Sequence, residues 1–297
     1  TDLVTVGATW GATPRIARQY SDPAGDEFSM VFQFEHIGLD QEPGKDKWDR
    51  IPLELPRLKE CLRRWQQELY GCGWNSLFFN NHDLPRIVSR WGNDKEYRVE
   101  SAKMLATMLY GLQGTPYIYQ GEELGMMNFP FACETELCDV ESINLLHQSV
   151  DKAWAWRGIR AKGRDNARTP MQWSAEKNAG FSAAEPWIAV NPNYPEINAE
   201  AERRDENSVL NFYKNLIALR NSAPALRDGS FAMLYPEHAQ LFVYERGGAG
   251  ETYTVVCNLS RAECALPELR GGEIVLQNVA FTDALPPYGA FVIRTVS

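Results

Sequence analysis

Short apolar runs and amphipathic stretches alternate through the first two thirds of the chain. Short apolar runs are typical of buried strands, whereas apolar residues three and four apart indicate a helix with one buried face. The pattern predicts strands at residues 3–7, 30–34, 76–81 and 116–120, and helices at 56–70, 99–112 and from Val209 onward. Repeated strand–helix–strand units favour a parallel sheet, so an α/β structure is predicted for this part of the chain.

The pattern changes twice along the rest of the chain. Residues 125–206 are less regular and rich in Asn, Pro, Trp and Gly, which predicts long loops over a site. After Pro224, short strands separated by turns predict a small antiparallel β-domain. The predicted domains are therefore residues 1–223 and residues 224–297.

Composition and charge narrow the classes of partner. The chain has 297 residues, a net charge of -9 and a pI of about 5.1. Nucleic acids and anionic membranes attract basic surfaces, so neither is expected as a partner, whereas a neutral small molecule fits. No apolar run reaches the roughly 18 residues that a bilayer-spanning helix needs. We therefore expect no membrane-spanning segment.

The cysteines give no sign of a metal site or a disulfide framework. The six lie at positions 61, 72, 133, 138, 257 and 264, without a Cys-x-x-Cys pair and without His at zinc-finger spacing. Free thiols in a reducing compartment are the favoured interpretation, which predicts a cytoplasmic protein without a metal or cofactor bound to this chain.

The most informative segment for chemistry is Phe78-Phe79-Asn80-Asn81-His82-Asp83-Leu84-Pro85-Arg86. An apolar run stops at an amide, an imidazole and a carboxylate, and Pro85 then favours a loop. In a β/α barrel the carboxyl ends of the strands carry the catalytic groups. A plain Asx-type turn after a strand explains the same residues equally well. The segment alone leaves both interpretations open.

Several blocks, in order along the chain, carry a family resemblance. They are Thr5-Val6-Gly7 with Trp10-Gly11-Ala12-Thr13-Pro14, Met30 to His36, Asn80 to Asp83, Gly114 to Met126 and Gly163 to Trp173. Together they resemble the α-amylase family of glycoside hydrolases, and within it the oligo-1,6-glucosidase and dextran-glucosidase group. The resemblance implies a (β/α)8 TIM barrel with an antiparallel C-terminal domain. It also implies retaining hydrolysis of α-glucosidic bonds, which uses two carboxyl groups about 5 Å apart.

The resemblance also implies roles for residues at the end of the predicted strand. Asp83 matches the family's third carboxylate, which holds sugar hydroxyls and stabilises the oxocarbenium-like transition state. His82 matches a donor to the same hydroxyls, and Asn81 is expected beside it. Arg168 matches the residue that reaches the glucose of the terminal subsite. A surface ion pair remains the alternative for Arg168.

The second sugar is expected to meet a different set of residues. By resemblance, Trp10 lines this site, and a Trp ring is suited to stacking on sugar CH groups. Lys45 or Lys47 is a candidate for contact with the same sugar. Ordinary packing of Trp10 and solvated lysines are the alternatives.

Two departures from the family pattern bear on catalysis. The family's general acid is a Glu directly after Thr-Val-Gly, and Ala8 stands there instead. The family's nucleophile lies on the strand before Thr5, outside this sequence. We therefore expect the carboxyl-side half of a barrel, with the missing N-terminal half as its partner and a structural calcium site only in that half. Whether Ala8 is natural or introduced stays open.

The predicted function is exo-acting hydrolysis of α-1,6 bonds in isomaltose, panose, isomalto-oligosaccharides or short dextrans, with this chain inactive by itself because of Ala8. Trehalose-6-phosphate hydrolase or a sucrose-isomerising enzyme is the enzymatic alternative. The alternative from another class is a non-catalytic protein on the same fold, either a sugar-binding protein or one that resembles the heavy subunits of amino-acid transporters.

Overall fold

The computed structural model describes residues 3–296, and its first part is a parallel α/β layer. Four short strands alternate with helices, and their bounds are β1 Val6–Ala8, α1 Pro14–Tyr20, β2 Met30–Phe32, α2 Leu55–Leu69, β3 Ser76–Leu77, α3 Ile87–Trp91, α4 Arg98–Tyr110 and β4 Thr115–Pro116. β1 pairs in parallel with β2, and β3 with β4. A parallel bridge between Val31 and Asn75 joins the two pairs. The strand order is therefore β1-β2-β3-β4, as expected for successive β/α units.

The predicted helices are confirmed where one apolar stripe is strong. In α2 the residues Leu58, Leu62, Trp65 and Leu69 are buried, and a Pro in the first turn fixes the start of the helix. α4 differs because Ser101 to Tyr110 are all buried. The helix packs on the C-terminal sheet on one side and on the helix of residues 209–222 on another, so no face of this stretch is left for solvent.

The prediction of long loops for residues 125–206 is corrected by the structure, because this region contains helices as well as loops. They are α5 Val140–Gln148, α6 Lys152–Lys162, α7 Asp165–Arg168 and α8 Ala199–Arg204, and they precede α9 Val209–Ser222 and α10 Pro224–Asp228. Side chains of Asp139, Asp151 and Asn198 cap three of them by accepting backbone N–H groups. α5 and α6 enclose a small core of their own with Trp48, separate from the main core.

The C-terminal part is antiparallel, as predicted. Its strands are β5 Ser230–Leu234, β6 Leu241–Gly248, β7 Glu251–Asn258, β8 Cys264–Ala265, β9 Glu273–Gln277, β10 Ala284–Leu285 and β11 Ala290–Val296. Five of them form one sheet in the order β5-β6-β7-β11-β9, and β8 pairs with β10. One hydrophobic core joins this sheet to α4 and α9, and includes Met108, Phe212, Tyr244 and Val255. The division at residue 223 therefore crosses a shared core.

The parallel sheet has two open edges among residues 3–296. β1 pairs only with β2, and β4 only with β3. Next to β1, the side chains of Leu3 and Val4 are 75% and 71% exposed. Unpaired strand edges beside exposed apolar side chains are the usual place for further strands to join a sheet. None of the helices in the described part of the chain has the length and hydrophobicity for a bilayer crossing.

Candidate active site

The carboxyl ends of the four parallel strands meet around a pocket of about 350 Å³, which we call the strand-end pocket. Its wall consists of residues that end or follow these strands, namely Ala8, Phe32, Phe34, Phe78, Asn80, Asn81, His82 and Tyr117 to Tyr119. β3 leaves its ladder after Leu77, so the following residues turn toward the pocket. The sequence Asn81-His82-Asp83 therefore lies at the end of the sheet where barrel enzymes place their chemistry.

The turn at Asp83 is an Asx turn, which was the plain alternative, and it exposes the carboxylate. The Asn81 Oδ1 accepts a hydrogen bond from the backbone N–H of Asp83 at 2.8 Å. His82 Nε2 lies 3.2 Å from Asp83 Oδ2, and the two side chains are 69% and 46% exposed. The turn holds the backbone while both side chains stay accessible to a ligand.

Arg168 comes to the same place from the distant helix α7. Its Nε donates to the His82 carbonyl oxygen at 2.9 Å, and its Nη2 donates to Asp83 Oδ1 at 3.0 Å. The ion pair with Asp83 matches the alternative interpretation of Arg168, but the pair lies inside the candidate site. The arrangement presents a carboxylate, an imidazole and a guanidinium side by side, which suits the hydroxyl groups of a sugar.

Arg164 is a neighbour of this cluster that sequence reasoning did not assign to the site. Its Nη1 lies 3.6 Å from Asp83 Oδ1, its Nη2 is 2.5 Å from Asp139 Oδ1, and its Nε is 3.3 Å from Glu141 Oε2. Burial would raise the pKa of Asp139, but the hydrogen bond and charge of Arg164 hold it below its usual value. The available signal was the four-residue spacing between Arg164, which precedes α7, and Arg168 at its end.

Ala8 lies where two cavities meet. It lines the strand-end pocket and a second cavity of about 710 Å³, which we call the outer cavity. The outer cavity is lined by residues that follow β1, β2 and β3, including Trp10, Phe34 and Asp83. The Trp10 ring is 76% exposed, and its centroid lies 5.1 Å from that of Phe34. The methyl group of Ala8 offers no proton donor or acceptor at this junction.

Only one of the two candidate lysines lines a cavity. Lys47 lines the outer cavity, and its Nζ lies 2.5 Å from Glu141 Oε2. Lys45 is exposed and is not among the residues that line either cavity. Of the two, only Lys47 is placed to contact a ligand in the outer cavity, and its partner Glu141 was not anticipated.

Buried polar groups support the strand ends from behind. Glu122 accepts hydrogen bonds from Tyr110 at 2.6 Å, Tyr213 at 2.9 Å and Asn80 at 2.6 Å. Burial raises the pKa of Glu122, and these three donors oppose the rise. Asn80 also accepts the N–H of Ile87 at 2.7 Å. Asn80 is thus fixed on both sides, one residue before the Asx turn.

Among residues 3–296, no group of three or more His, Cys, Asp or Glu side chains is arranged to hold a metal ion.

Comparison with known proteins identifies relatives of the whole described chain. The family described as alpha amylase, catalytic domain, matches residues 1–229. A glucan 1,6-alpha-glucosidase of Streptococcus dysgalactiae subsp. equisimilis is 49% identical over 99% of this chain and 57% of the relative. An oligo-1,6-glucosidase of Halalkalibacterium halodurans is 50% identical over 86% of this chain and 46% of the relative.

The fold has a close counterpart among solved structures. The crystal structure of trehalose-6-phosphate hydrolase from Bacillus licheniformis matches with a TM-score of 0.94 and 38% identity, covering 100% of this chain and 56% of that one. The present chain spans about half the length of the curated relatives that it matches.

Proposed function

Because the chain belongs to the α-amylase catalytic-domain family, we propose that it supplies the carboxyl-side half of the active site of a retaining, exo-acting α-glucosidase. Its proposed substrates are isomaltose, panose and related isomalto-oligosaccharides or short dextrans, cleaved at α-1,6 bonds from the non-reducing end. The observation that carries the proposal is the Asp83–His82–Arg168 cluster at a strand end, beside two cavities that meet at Ala8.

In this proposal the two cavities hold different sugars. Asp83, His82 and Arg168 bind the hydroxyls of the terminal glucose near the strand-end pocket, with Asn81 holding the turn. Trp10 and Lys47 contact the second sugar in the outer cavity, where the exposed indole face is available for stacking. The scissile oxygen then lies between the two cavities, beside Ala8.

Ala8 makes the proposed site one that binds but does not cleave efficiently. Protonation of the leaving oxygen by a general acid is worth roughly 10²–10⁴ in rate, and a methyl group cannot supply it. The same residue favours the second candidate, a protein that binds sugars without hydrolysing them. The two candidates differ in what restoration of a carboxyl group at this position would do.

We further propose that additional strands complete the barrel and bring the nucleophile. The support is the pair of open edges at β1 and β4 and the exposed Leu3 and Val4 beside β1. A half-barrel with uncovered edges would tend to pair with other chains. The six free cysteines support a reducing location, for which we propose the cytoplasm.

The outer cavity favours a neutral sugar over a phosphorylated one. Four cations line it, and each has a carboxylate partner: Lys47 with Glu141, Arg64 with Glu35, and both Arg90 and Lys162 with Asp40. A phosphate group carries about two negative charges and needs unpaired cations or N–H donors. Each of these cations already has a carboxylate partner, although Arg90 and Lys162 share one, so the cavity offers a phosphate group no unpaired cation. This supports isomaltose better than trehalose 6-phosphate as the substrate.

The test joins this chain to the amino-terminal half of the Streptococcus relative and compares three residues at position 8. Ala8→Glu restores an acid, and Ala8→Gln is the matched control of similar size without one. We expect the Glu variant to hydrolyse isomaltose at least about a hundredfold faster than the Ala and Gln forms. Equal rates in all three would overturn the assignment of position 8.

The same fusion proteins also distinguish between the alternative substrates. Rates on isomaltose, trehalose 6-phosphate and sucrose are compared for the Glu variant. Preference for trehalose 6-phosphate or isomerisation of sucrose would replace the proposed substrate. A variant that binds isomaltose by calorimetry but gains no activity would favour the non-catalytic candidate.

A further inference from the structure

Arg86 is a buried guanidinium that the proposed binding roles do not use. It lies three residues after Asp83, and its side chain is 1% exposed. All three of its side-chain hydrogen bonds go to backbone carbonyls: Nη1 to Gln120 at 2.6 Å, Nε to Asn166 at 3.2 Å and Nη2 to Ala167 at 3.1 Å. A fork of this kind fixes several backbone positions at once, which a lysine cannot do.

The three carbonyls belong to the segments that form the site. Gln120 follows β4, and Asn166 and Ala167 are the two residues before Arg168 on α7. Arg86 itself follows β3 and the Asx turn at Asp83. One side chain therefore ties the ends of two strands to the short helix that delivers Arg168.

These contacts close a ring. From Asp83 the chain runs three residues to Arg86, whose guanidinium binds the carbonyl of Ala167. The next residue, Arg168, then returns to Asp83 Oδ1 at 3.0 Å and to the carbonyl of His82 at 2.9 Å. Since α7 has only four residues, it has little rigidity of its own and depends on contacts with its surroundings. Asp165 and Asn166 anchor its first half, and the ring holds the end that carries Arg168.

Tyr119 and Gly121 adjoin the Arg86 guanidinium. Tyr119 adds contacts to the ring, and Gly121 leaves space for it. The Tyr119 hydroxyl donates to the same Ala167 carbonyl at 3.1 Å, and the Arg86 guanidinium lies 5.5 Å from the centre of the Tyr119 ring. Gly121 has a φ of +85°, and a Cβ there would collide with Met126 Sδ and would also approach Arg86 Nη1 to 3.1 Å. The backbone after β4 thus passes the guanidinium without crowding it.

We propose that Arg86 is a positioning residue that holds Arg168 against Asp83, so that the pair is preorganised for the terminal sugar. The link to sugar binding rests on the proposed function, whereas the mechanical link between Arg86 and Arg168 does not. Loss of Arg86 should free the Arg168 side chain before any ligand is added. A residue that only stabilised the fold would not act selectively on Arg168.

The chain offers a matched control in Arg220. It is also buried and donates to the backbone carbonyls of Tyr110, Leu112 and Gly114. Burial lowers the pKa of both Arg86 and Arg220 to about 10, so the two guanidiniums have comparable environments. None of the carbonyls bound by Arg220 belongs to α7 or to the turn at Asp83.

The experiment measures hydrogen exchange of the Arg168 Nε–H by NMR in this chain without ligand. In the parent chain that N–H donates a hydrogen bond to the His82 carbonyl. We expect Arg86→Lys to speed its exchange at least about tenfold, and Arg220→Lys to change it less than about twofold although both lower the melting temperature. Unchanged exchange in Arg86→Lys, or equal acceleration in Arg220→Lys, would overturn the proposal.

A milder variant covers the case in which Arg86→Lys does not fold. Tyr119→Phe removes one donor from the Ala167 carbonyl and should accelerate the same exchange by a smaller factor. Unchanged exchange in this variant, with Arg86→Lys unfolded, would count against the ring. Isomaltose affinity is measured in parallel on the same variants joined to the amino-terminal half of the Streptococcus relative. Its absence in all of these fusions would contradict the proposed function while the exchange result stands.

Discussion

At the scale of single residues, His36 shows how burial behind the strand end controls charge. Its side chain is almost completely buried, with Nε2 2.9 Å from the Phe78 carbonyl and Nδ1 2.7 Å from Gln33 Nε2. We assign a neutral ring that donates from Nε2 and accepts at Nδ1. Burial, aided by the charge of Arg90, lowers the pKa of His36 to about 3, although the Phe78 carbonyl favours the charged ring. Phe78 immediately precedes the residues that lead into the Asx turn.

The pH dependence of stability follows from this burial. Between pH 6.5 and about 3 the unfolded chain protonates His36 and the folded chain does not, so the free energy of unfolding falls as pH falls. His36 contributes at most about 1.4 kcal/mol per pH unit to this slope. His36→Gln should lower stability at pH 7 and also flatten the acid limb, measured by urea unfolding from pH 7 to pH 4.

Carboxylates in the chain also take up protons over this acidic pH range and add to the slope of stability against pH. The contribution of His36 is therefore obtained by comparing the slopes of different variants. His147→Gln is the control for loss of an imidazole at an exposed position, where the ring contacts Glu134 on the surface, and it should change the slope less than His36→Gln. An acid limb of equal slope in His36→Gln and the parent would mean that His36 takes up its proton as readily in the folded chain as in the unfolded one, which would contradict its lowered pKa.

At the scale of elements, sequence patterns predicted those parts of the fold that depend on local spacing. The apolar stripe of α2 and the polar turn at Asp83 after β3 are visible in the sequence, because hydrophobic periodicity and turn-forming residues are local signals. The sequence did not predict α5 and α6, because their N-terminal capping residues are hard to recognise within a Trp- and Asn-rich composition. The tie between Arg86 and α7 joins residues about 80 positions apart, and only the folded chain brings them together.

The 3₁₀ turn Glu122–Leu124 illustrates an element stabilised by its partners. Its first residue, Glu122, is buried and takes donors from α4, from α9 and from the strand end at Asn80. Two carboxylate oxygens in a buried site need such donors, because an unsatisfied charged group loses its hydration without replacement. The turn therefore couples two helices to the strand that precedes Asp83.

Removal of one donor tests this coupling. Tyr213→Phe should lower the free energy of unfolding by roughly 1–3 kcal/mol, because Glu122 loses a buried hydrogen bond while the ring keeps its packing. The measurement is urea unfolding at pH 7. Tyr97→Phe is the control, since the described residues offer its hydroxyl no hydrogen bond, and it should change stability by less than about 0.5 kcal/mol. Equal effects in both variants would show that the Glu122 contact contributes nothing.

At the scale of the whole molecule, the parallel layer and the C-terminal sheet share one core. Tyr244 on β6 donates to the Met108 carbonyl at 3.1 Å, and Arg246 on the same strand donates to the Gly111 carbonyl at 3.1 Å. Cys257 on β7 lies with its Sγ 3.8 Å from the Met104 carbonyl. Since α4 is buried by the sheet, neither part keeps a closed core without the other. We therefore expect the two parts to unfold together.

Natural probes allow this expectation to be measured separately for each part. All nine tryptophans lie between residues 10 and 187, so their fluorescence reports on the part before the C-terminal sheet. Cys257 and Cys264 are buried in the C-terminal part, and their labelling by a thiol reagent, located by mass spectrometry, reports on it. The two urea transitions should coincide. Labelling of Cys257 at urea concentrations where the tryptophan signal is still native would contradict a single cooperative unit.

Gly111 provides a perturbation at the junction itself. A Cβ at this position would collide with the Tyr244 hydroxyl, which is buried and bonded to α4. Gly111→Ala should therefore cost about 1–3 kcal/mol through overpacking. Both probes should shift to lower urea by the same amount, because the contact belongs to the shared core. Gly38→Ala, where a Cβ meets nothing within 4 Å, is the control and should leave both transitions in place. A shift of the Cys257 labelling alone would show that the sheet unfolds independently of the layer that carries the site.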